Sequence, residues 1–153
     1  MNNLSESPAI AMVERQLAAR GVDDDAILSA FRKVPREEFV PEDLREFAYD
    51  DAPLPIGEGQ TISQPFIVAR MSELIATLPE GSKVLEIGAG SGYQTAILVH
   101  MGFEVHAVEI VAELGEQARK RLAELGLSPA SLTIADGRRG LAEHAPYDGV
   151  IAA

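Results

Sequence analysis

Three glycines within five residues form the part of the sequence best suited to bind a ligand. Gly88, Gly90 and Gly92 follow the apolar run 84–87 and precede a stretch with helical spacing. Glycine lets the backbone approach a ligand closely, and the first turn of the following helix offers free N–H groups. The position between a strand and a helix therefore predicts a nucleotide-type ligand; the alternative is a tight turn that binds nothing.

Two carboxylates near these glycines separate the possible ligands. Glu86 stands two residues before Gly88, where it would repel a pyrophosphate but suits the ammonium and sulfonium of S-adenosylmethionine. A dinucleotide site would place a third glycine where this chain has Tyr93. Glu109, at the end of the second predicted strand, can accept hydrogen bonds from ribose hydroxyls of either ligand, or be a solvated charge. An NAD-dependent oxidoreductase is therefore the less favoured interpretation.

Two further positions leave alternatives open. Asp136 and Gly137 follow the third predicted strand, at the edge where open α/β sheets bind ligands, so they fit either an adenine contact or an ordinary Asp-Gly turn. Ser63 lies just before Pro65, where a serine commonly starts a helix. From its position alone, Ser63 fits a helix cap better than a site residue.

The composition excludes several classes of function. The 153 residues carry 13 Lys+Arg and 24 Asp+Glu, a formal net charge of −11, so we expect no nucleic-acid partner. There are no cysteines, which excludes disulfides, thiolate metal sites and a cysteine nucleophile. The three histidines are not grouped and no calcium-loop pattern occurs, so we expect no metal. Without an apolar stretch of about 18 residues or a signal peptide, we expect no membrane contact and a cytoplasmic protein.

The first part of the chain has a helical pattern. Apolar residues at helical spacing predict one helix from Pro8 to Gly21 and a second, capped by Asp23, that ends at Pro35. A weaker helical segment covers 39–47. Prolines and glycines make 52–60 a loop long enough to carry function, because they suit neither a helix nor a central strand.

From residue 65 onward, short apolar strands alternate with helices. We predict helices at 65–78, 93–101 and 112–125, and strands at 84–87, 104–108, 132–135 and 149–153. This order predicts an α/β fold: a Rossmann-like parallel sheet with helices on both faces (65–153), packed as one unit with an N-terminal helical cap (1–64). Because the last strand ends the chain, we expect a C-terminally incomplete sheet whose apolar edge self-associates or is covered.

Several segments together resemble the protein-L-isoaspartate O-methyltransferases, which are class I methyltransferases in fold. The resemblance covers the chain from about Met12 onward, and the residues that carry it are 12–21, 34–41, 59–65, 69–71, 84–94, 108–110, 136–140 and 147–148. The glycine loop is shared by many methyltransferases. Residues 61–65, Thr-Ile-Ser-Gln-Pro, point to this family.

The resemblance implies an enzyme that methylates the carboxylate of isoaspartyl residues in damaged proteins or peptides, a repair reaction, with S-adenosyl-L-methionine as cofactor. It implies Ser63 as the catalytic serine, and as cofactor-binding residues Ile62, Gln64, Glu86, Gly88, Gly90, Glu109, Ile110, Asp136 and Gly137. Since an isoaspartyl carboxylate is ionised at pH 7, its methylation needs positioning rather than a general base. The alternative is a truncated, catalytically weak methyltransferase-like binding module that associates through its strand edge.

Overall fold

The N-terminal segment is helical, as its apolar spacing predicts. The structure is a computed structural model that describes residues 7–152. Helix α1 (Pro8–Met12) continues through a π-helical turn (Val13–Leu17) and a 3-10 turn (Ala18–Arg20). It ends at Gly21, whose φ of 94° places it in the left-handed region that favours glycine. Helix α2 (Asp25–Lys33) follows.

The capping residue of α2 and the nature of the next segment differ from the prediction. Asp24, not Asp23, caps α2, because its Oδ1 accepts a hydrogen bond from the N–H of Ile27 at 3.0 Å. Because α2 begins at Asp25, position 24 is the N-cap, from which a side chain reaches the free amides of the first turn. Instead of one weak helix, two 3-10 helices, Arg36–Phe39 and Glu42–Phe47, follow on either side of a proline.

A β-hairpin occupies the segment that was predicted to be a loop. Strand β1 (Leu54–Gly57) pairs antiparallel with β2 (Gln60–Ile62), with a register shift before Gly57. The loop prediction is therefore wrong about the pairing. The exclusion of a helix and of a central strand is correct, since this two-stranded sheet stands apart from the main one and tolerates a proline in β1.

The main sheet contains four parallel strands. The remaining elements are α3 (Pro65–Ile75), β3 (Lys83–Ile87), α4 (Tyr93–His100), β4 (Glu104–Glu109), α5 (Ala112–Glu124), β5 (Ser131–Ile134) and β6 (Gly149–Ala152). The strand order is β5-β4-β3-β6, which confirms the parallel α/β class. Helix α3 ends three residues before the predicted position because the chain turns ahead of Pro79. Ala153, included in the predicted last strand, lies outside the described residues.

Helices α3 and α4 pack on one face of this sheet, and the right-handed connection from β4 to β5 places α5 on the same face. Ile75 of α3 and Leu98 of α4 cluster with Val84, Val105 and Ile151 of three neighbouring strands. The helices of the N-terminal segment share a second apolar cluster with α4 and α5, which includes Phe31, Phe39, Tyr93, Ile97 and Leu122. The division of the chain at residue 64 stays a prediction.

The opposite face is covered by the connection from β5 to β6. Because β6 lies on the far side of β3 from β5, this connection must cross the sheet. It carries two short 3-10 helices, Gly137–Arg139 and Ala142–His144, and the His144 ring stacks on His106 with 4.2 Å between centroids. The sequence predicted helices on both faces, and in the described chain the second face carries two short 3-10 helices.

This topology fixes where a ligand can bind. The strand order reverses between β3 and β6, and open α/β sheets bind ligands at the carboxyl ends of the strands beside such a reversal. Within residues 7–152, no helix is both long and apolar enough to cross a membrane.

Candidate functional site

A cavity of about 290 Å³ lies at the carboxyl ends of β3 and β4. One side, which we call the serine wall, comes from β2 and α3 and consists of Gln60, Thr61, Ile62, Ser63, Val68 and Met71. The other side, which we call the glycine wall, comes from the loop after β3, the start of α4 and the end of β4, and consists of Gly88, Ala89, Gly90, Ser91, Tyr93, Gln94, Glu109 and Ile110. The fold therefore brings together two segments that the sequence analysis singled out separately.

A larger and shallower cavity of about 620 Å³ lies on the N-terminal helical segments. It is lined by side chains of mixed charge, among them Arg15, Glu37, Arg45, Glu46 and Asp50. It has neither the glycine loop nor a position at a strand reversal. We therefore place the candidate site in the smaller cavity, where backbone N–H groups and a buried carboxylate converge.

Backbone hydrogen bonds to the neighbouring strand shape the glycine wall. The N–H groups of Gly88 and Ala89 both donate to the carbonyl of Val108, at 2.8 and 3.1 Å. Gly88 and Gly90 have φ values of 89° and 55°, which L side chains rarely adopt. Glycine is thus required for this turn, and its missing side chains leave the backbone free to approach a ligand.

Glu109 is the carboxylate that joins the glycine loop to β4. Glu109 is only 5% exposed and lines the cavity. Oε2 accepts a hydrogen bond from the N–H of Gly90 at 2.7 Å, and Oε1 accepts one from Val111 at 3.0 Å. The alternative of a solvated strand-end charge is therefore wrong. Each oxygen keeps a further lone pair, so Glu109 can also accept hydrogen bonds from ligand hydroxyls.

Glu86 is fully buried on β3 and does not line the cavity among the described residues. Its Oε2 accepts a hydrogen bond from the Thr95 hydroxyl at 2.5 Å, whereas Oε1 has no partner in the described part of the chain. Burial raises the pKa of Glu86 to about 8; the Thr95 hydrogen bond opposes this rise and the charge of Glu109 adds to it. Such a carboxyl group is mostly protonated at neutral pH. A cation bound near it would favour its ionised form.

The start of α3 does not support the interpretation of Ser63 as a helix cap. Gln64 occupies the N-cap position and no side chain caps the helix, so Ser63 is not a cap. Ser63 is half-buried, lines the cavity, and its hydroxyl forms no hydrogen bond with the described residues. The Gln64 amide donates to Asp51 at 2.5 Å, and Gln64 is not part of the cavity wall described above. Ile62, by contrast, is buried and belongs to the wall.

Asp136 and Gly137 line an adjoining cavity of about 170 Å³, which shares Gly88 and Ile110 with the main one. Asp136 accepts a hydrogen bond from the N–H of Arg138 at 3.0 Å, which is the turn that the sequence allowed. Hydrogen bonds from Arg138 also lower the pKa of the Asp136 carboxyl. A Cβ on Gly137 would lie 2.5 Å from a methyl carbon of Ile87, so only glycine fits this wall.

The sequence did not reveal the two arginines that form hydrogen bonds with the backbone of the two walls. The Arg36 guanidinium donates to the carbonyl of Ser63 at 2.8 Å, and the Arg121 guanidinium donates to the carbonyl of Ser91 at 2.8 Å. Tyr93 is itself part of the glycine wall; the sequence used it only to exclude a dinucleotide, but it is 1% exposed and packs edge-on against the rings of Phe31 and Phe39. The available signal was Arg36 itself, the single cation of the 34–41 segment.

Known proteins match this chain closely in sequence. The model of the family described as protein-L-isoaspartate(D-aspartate) O-methyltransferase matches residues 9–153. A protein-L-isoaspartate O-methyltransferase from Methylorubrum extorquens (strain PA1) is 58% identical over 140 residues, which cover 92% of this chain and 60% of that protein. One from Picosynechococcus sp. is 51% identical over 154 residues, covering 98% and 69%. The chain thus spans about 60 to 70% of the length of these relatives.

Solved structures agree. A protein-L-isoaspartate O-methyltransferase structure superposes with a TM-score of 0.79 at 30% identity, covering 94% of this chain and 46% of that one. A Plasmodium falciparum chain described as a protein-L-isoaspartate O-methyltransferase, in complex with S-adenosyl-L-homocysteine, has a TM-score of 0.77 at 25% identity and covers 96% and 73%. The glycine loop with its partner Glu109 and the Ser63 segment face each other across one cavity, and the family model and the relatives match most of the chain. The chain therefore belongs to the protein-L-isoaspartate(D-aspartate) O-methyltransferase family.

Proposed function

We propose that the glycine wall binds S-adenosyl-L-methionine and that the serine wall presents an isoaspartyl carboxylate to it, so that this chain methylates isoaspartyl residues of damaged proteins. The observation that carries the proposal is the single cavity shared by the two walls. Family membership supports the reaction, and the S-adenosyl-L-homocysteine in the Plasmodium falciparum structure supports the cofactor class.

The residues of the glycine wall fit this cofactor. When bound, S-adenosyl-L-methionine supplies an electrophilic methyl group on a sulfonium. Gly88 and Gly90 leave room for the methionine part, and Glu109 offers lone pairs to the ribose hydroxyls. The unpartnered Oε1 of Glu86 lies buried near this wall without lining it, and we infer that it acts through its charge on the ligand ammonium.

The adjoining cavity suits the adenine part. Asp136 and Gly137 line it together with apolar side chains, and Ile110 belongs to both cavities. An aromatic base fits between apolar walls with a polar group at its edge. We assign Ile62 to apolar contact with the cofactor from the opposite side. Gln64, held by Asp51, would have to release that hydrogen bond to contribute.

The serine wall fits the other reactant. An isoaspartyl carboxylate is ionised at neutral pH, so the chain has to orient it and exclude water rather than remove a proton. The Ser63 hydroxyl is not engaged by the described residues and can donate to one carboxylate oxygen. Val68 and Met71 supply the apolar surface that excludes water around it.

The test is methyl transfer to matched peptides. The chain is incubated with S-adenosyl-L-methionine and a peptide that contains isoaspartate, and in parallel with a peptide of the same sequence that contains ordinary aspartate. We expect transfer to the isoaspartyl peptide at least about tenfold faster, since a misplaced carboxylate loses the orientation that the site provides. Equal transfer to both peptides would refute the substrate assignment, and no saturable cofactor binding would refute the whole proposal.

The second candidate, a non-catalytic binding module, is favoured by one observation. Strand β6 pairs only with β3 in the described sheet, and Val150 on it is 58% exposed. Self-association through this edge stays a prediction. Sedimentation of the chain at several concentrations tests it: a concentration-dependent dimer without methyl transfer supports the module, and an active monomer contradicts it.

A further inference from the structure

A buried cation without a carboxylate partner lies beneath the serine wall. Arg36 is 0% exposed, and none of the ion pairs in the described chain includes it. Its Nε donates to the carbonyl of Ala48 at 2.6 Å and its Nη2 donates to the carbonyl of Ser63 at 2.8 Å. The Cζ atom lies 4.8 Å from the centroid of the Tyr93 ring. Nη1 has no partner among the described residues.

Removing a guanidinium from water is costly, so the few contacts that remain must be well formed. Burial lowers the pKa of the Arg36 guanidinium, but arginine keeps its charge in proteins. The two carbonyls that it holds are 12 and 27 residues away along the chain. One side chain therefore ties the Arg36–Phe39 helix to two distant segments, of which one is the cavity wall.

We propose that Arg36 is a positioning residue for Ser63: its buried guanidinium holds the Ser63 carbonyl and the Ala48 carbonyl at once, and so fixes where the Ser63 hydroxyl lies in the cavity. The carbonyl and the hydroxyl belong to the same residue, so anchoring one restricts the other. The serine wall has no parallel strand beside it, unlike the glycine wall: β2 pairs only with β1 in the described chain, and the Arg36 side chain ties Ser63 itself to the N-terminal segment. The inference rests on the proposed function, because it assigns Ser63 to the substrate.

The planar fork of arginine is what this role requires. It offers donors in fixed directions to two acceptors while its face packs on an aromatic ring, here Tyr93. A lysine ammonium keeps the charge but presents a point of charge on a flexible stem. Arg36→Lys therefore keeps the charge and removes the planar fork, whereas Arg36→Met removes both.

The experiment compares these two variants with Arg45→Met. Arg45 is a matched control, because it lies in the next 3-10 helix and forms an exposed ion pair with Glu38 at 3.0 Å outside the cavity. For each folded variant we measure hydrogen exchange of amides 60–64 and 84–92 by mass spectrometry. Calorimetry then gives the affinity for S-adenosyl-L-homocysteine and, in its presence, for the isoaspartyl peptide.

We expect amides 60–64 to exchange at least about tenfold faster in both Arg36 variants, with less than about a twofold change in 84–92. Peptide affinity should fall at least about tenfold, and S-adenosyl-L-homocysteine affinity by less than about threefold. Arg45→Met should resemble the wild type. A general loss of stability would not produce this split between the two ligands in folded protein.

Three results overturn the inference. Unchanged exchange in 60–64 shows that Arg36 does not hold the wall. Equal weakening of both ligands, or failure of both Arg36 variants to fold, shows that Arg36 serves the stability of the N-terminal segment. If the wild type does not bind the isoaspartyl peptide at all, the proposed function fails, while the exchange data still decide whether Arg36 orders the wall.

Discussion

The two walls of the cavity are built by different means. The glycine wall is held by the sheet itself: Gly88 and Ala89 donate to a β4 carbonyl, and Gly90 donates to the carboxylate at the end of the same strand. The serine wall belongs to a separate hairpin and to α3, and a buried guanidinium from the N-terminal segment holds the carbonyl of Ser63. The sheet itself thus supplies a half-site for a nucleotide-type ligand, while the other half comes from the hairpin and α3 and is anchored by a side chain distant in sequence.

The largest expected effect is at the carboxylate that anchors the glycine wall. Glu109→Ala removes the acceptor for Gly90 and Val111 and, in the proposed complex, for the ribose hydroxyls. Each hydrogen bond to a charged group contributes roughly 1.5–3 kcal/mol, so we expect S-adenosyl-L-homocysteine affinity to fall about 100-fold or more. Calorimetric titration measures this loss.

The matched control for this variant is Glu113→Gln. Glu113 lies in the first turn of α5, four residues further along the chain, and its one side-chain hydrogen bond within residues 7–152 is an exposed bond from Gln117. Its affinity should equal that of the wild type. Unchanged affinity in Glu109→Ala would contradict the role of Glu109 in both the wall and the ligand site.

A substitution at the back of the glycine wall tests its rigidity. A Cβ on Gly92 would lie 3.1 Å from Leu122 and 3.4 Å from Ala118, at a φ of 89°. Gly126→Ala is the control, because Gly126 has a φ of 68° and nothing within 4 Å. Thermal or urea unfolding should show a loss of about 1–2 kcal/mol for Gly126→Ala from backbone strain, and about 1–3 kcal/mol more for Gly92→Ala from crowding. Equal losses of unfolding free energy in the two variants would show that Leu122 and Ala118 of α5 move to make room for the new methyl group.

The buried carboxyl near the glycine wall should make both stability and binding depend on pH. The folded-state pKa of Glu86 is raised from 4.5 to about 8, so its contribution to stability is present at low pH and is lost as pH rises through about 8. A ligand ammonium favours the ionised form. We therefore expect S-adenosyl-L-homocysteine affinity to rise by up to about tenfold per pH unit between about pH 6 and 8, with proton release.

Calorimetry in two buffers of different ionisation enthalpy detects that proton. Glu86→Gln keeps the shape and cannot ionise, so its affinity should be lower and its pH dependence flat. A pH dependence that is the same in both proteins would place the titrating group elsewhere.

The smallest expected effect on folding, and a selective one on function, is at the serine wall. Ser63→Ala should lower methyl transfer to an isoaspartyl peptide about tenfold and change the free energy of unfolding by less than about 1 kcal/mol, because the hydroxyl caps no helix. Thr77→Val, which removes a hydroxyl at an exposed position outside the cavity, is the control. Full transfer by folded Ser63→Ala would remove Ser63 from the substrate site.

The features that could be predicted from the sequence are those set by local patterns. The alternation of strands and helices, the glycine turn and the acid at the end of β4 all follow from periodicity and residue type within one βαβ unit. The order of β6 beside β3 was not predicted, since strand order depends on crossovers that a periodic pattern does not encode. The role of Arg36 was not predicted because its partners Ala48 and Ser63 are distant in sequence, so that no local pattern links them.

A hydrogen-exchange footprint of the wild-type chain shows whether the two walls of one cavity bind two different ligands. S-adenosyl-L-homocysteine should slow exchange in 88–92 and 109–111, and adding the isoaspartyl peptide should further slow exchange in 60–64. The aspartyl peptide of the same sequence should add little. Protection of neither segment by S-adenosyl-L-homocysteine, or peptide protection confined to the N-terminal helices, would show that the two walls do not bind these two ligands.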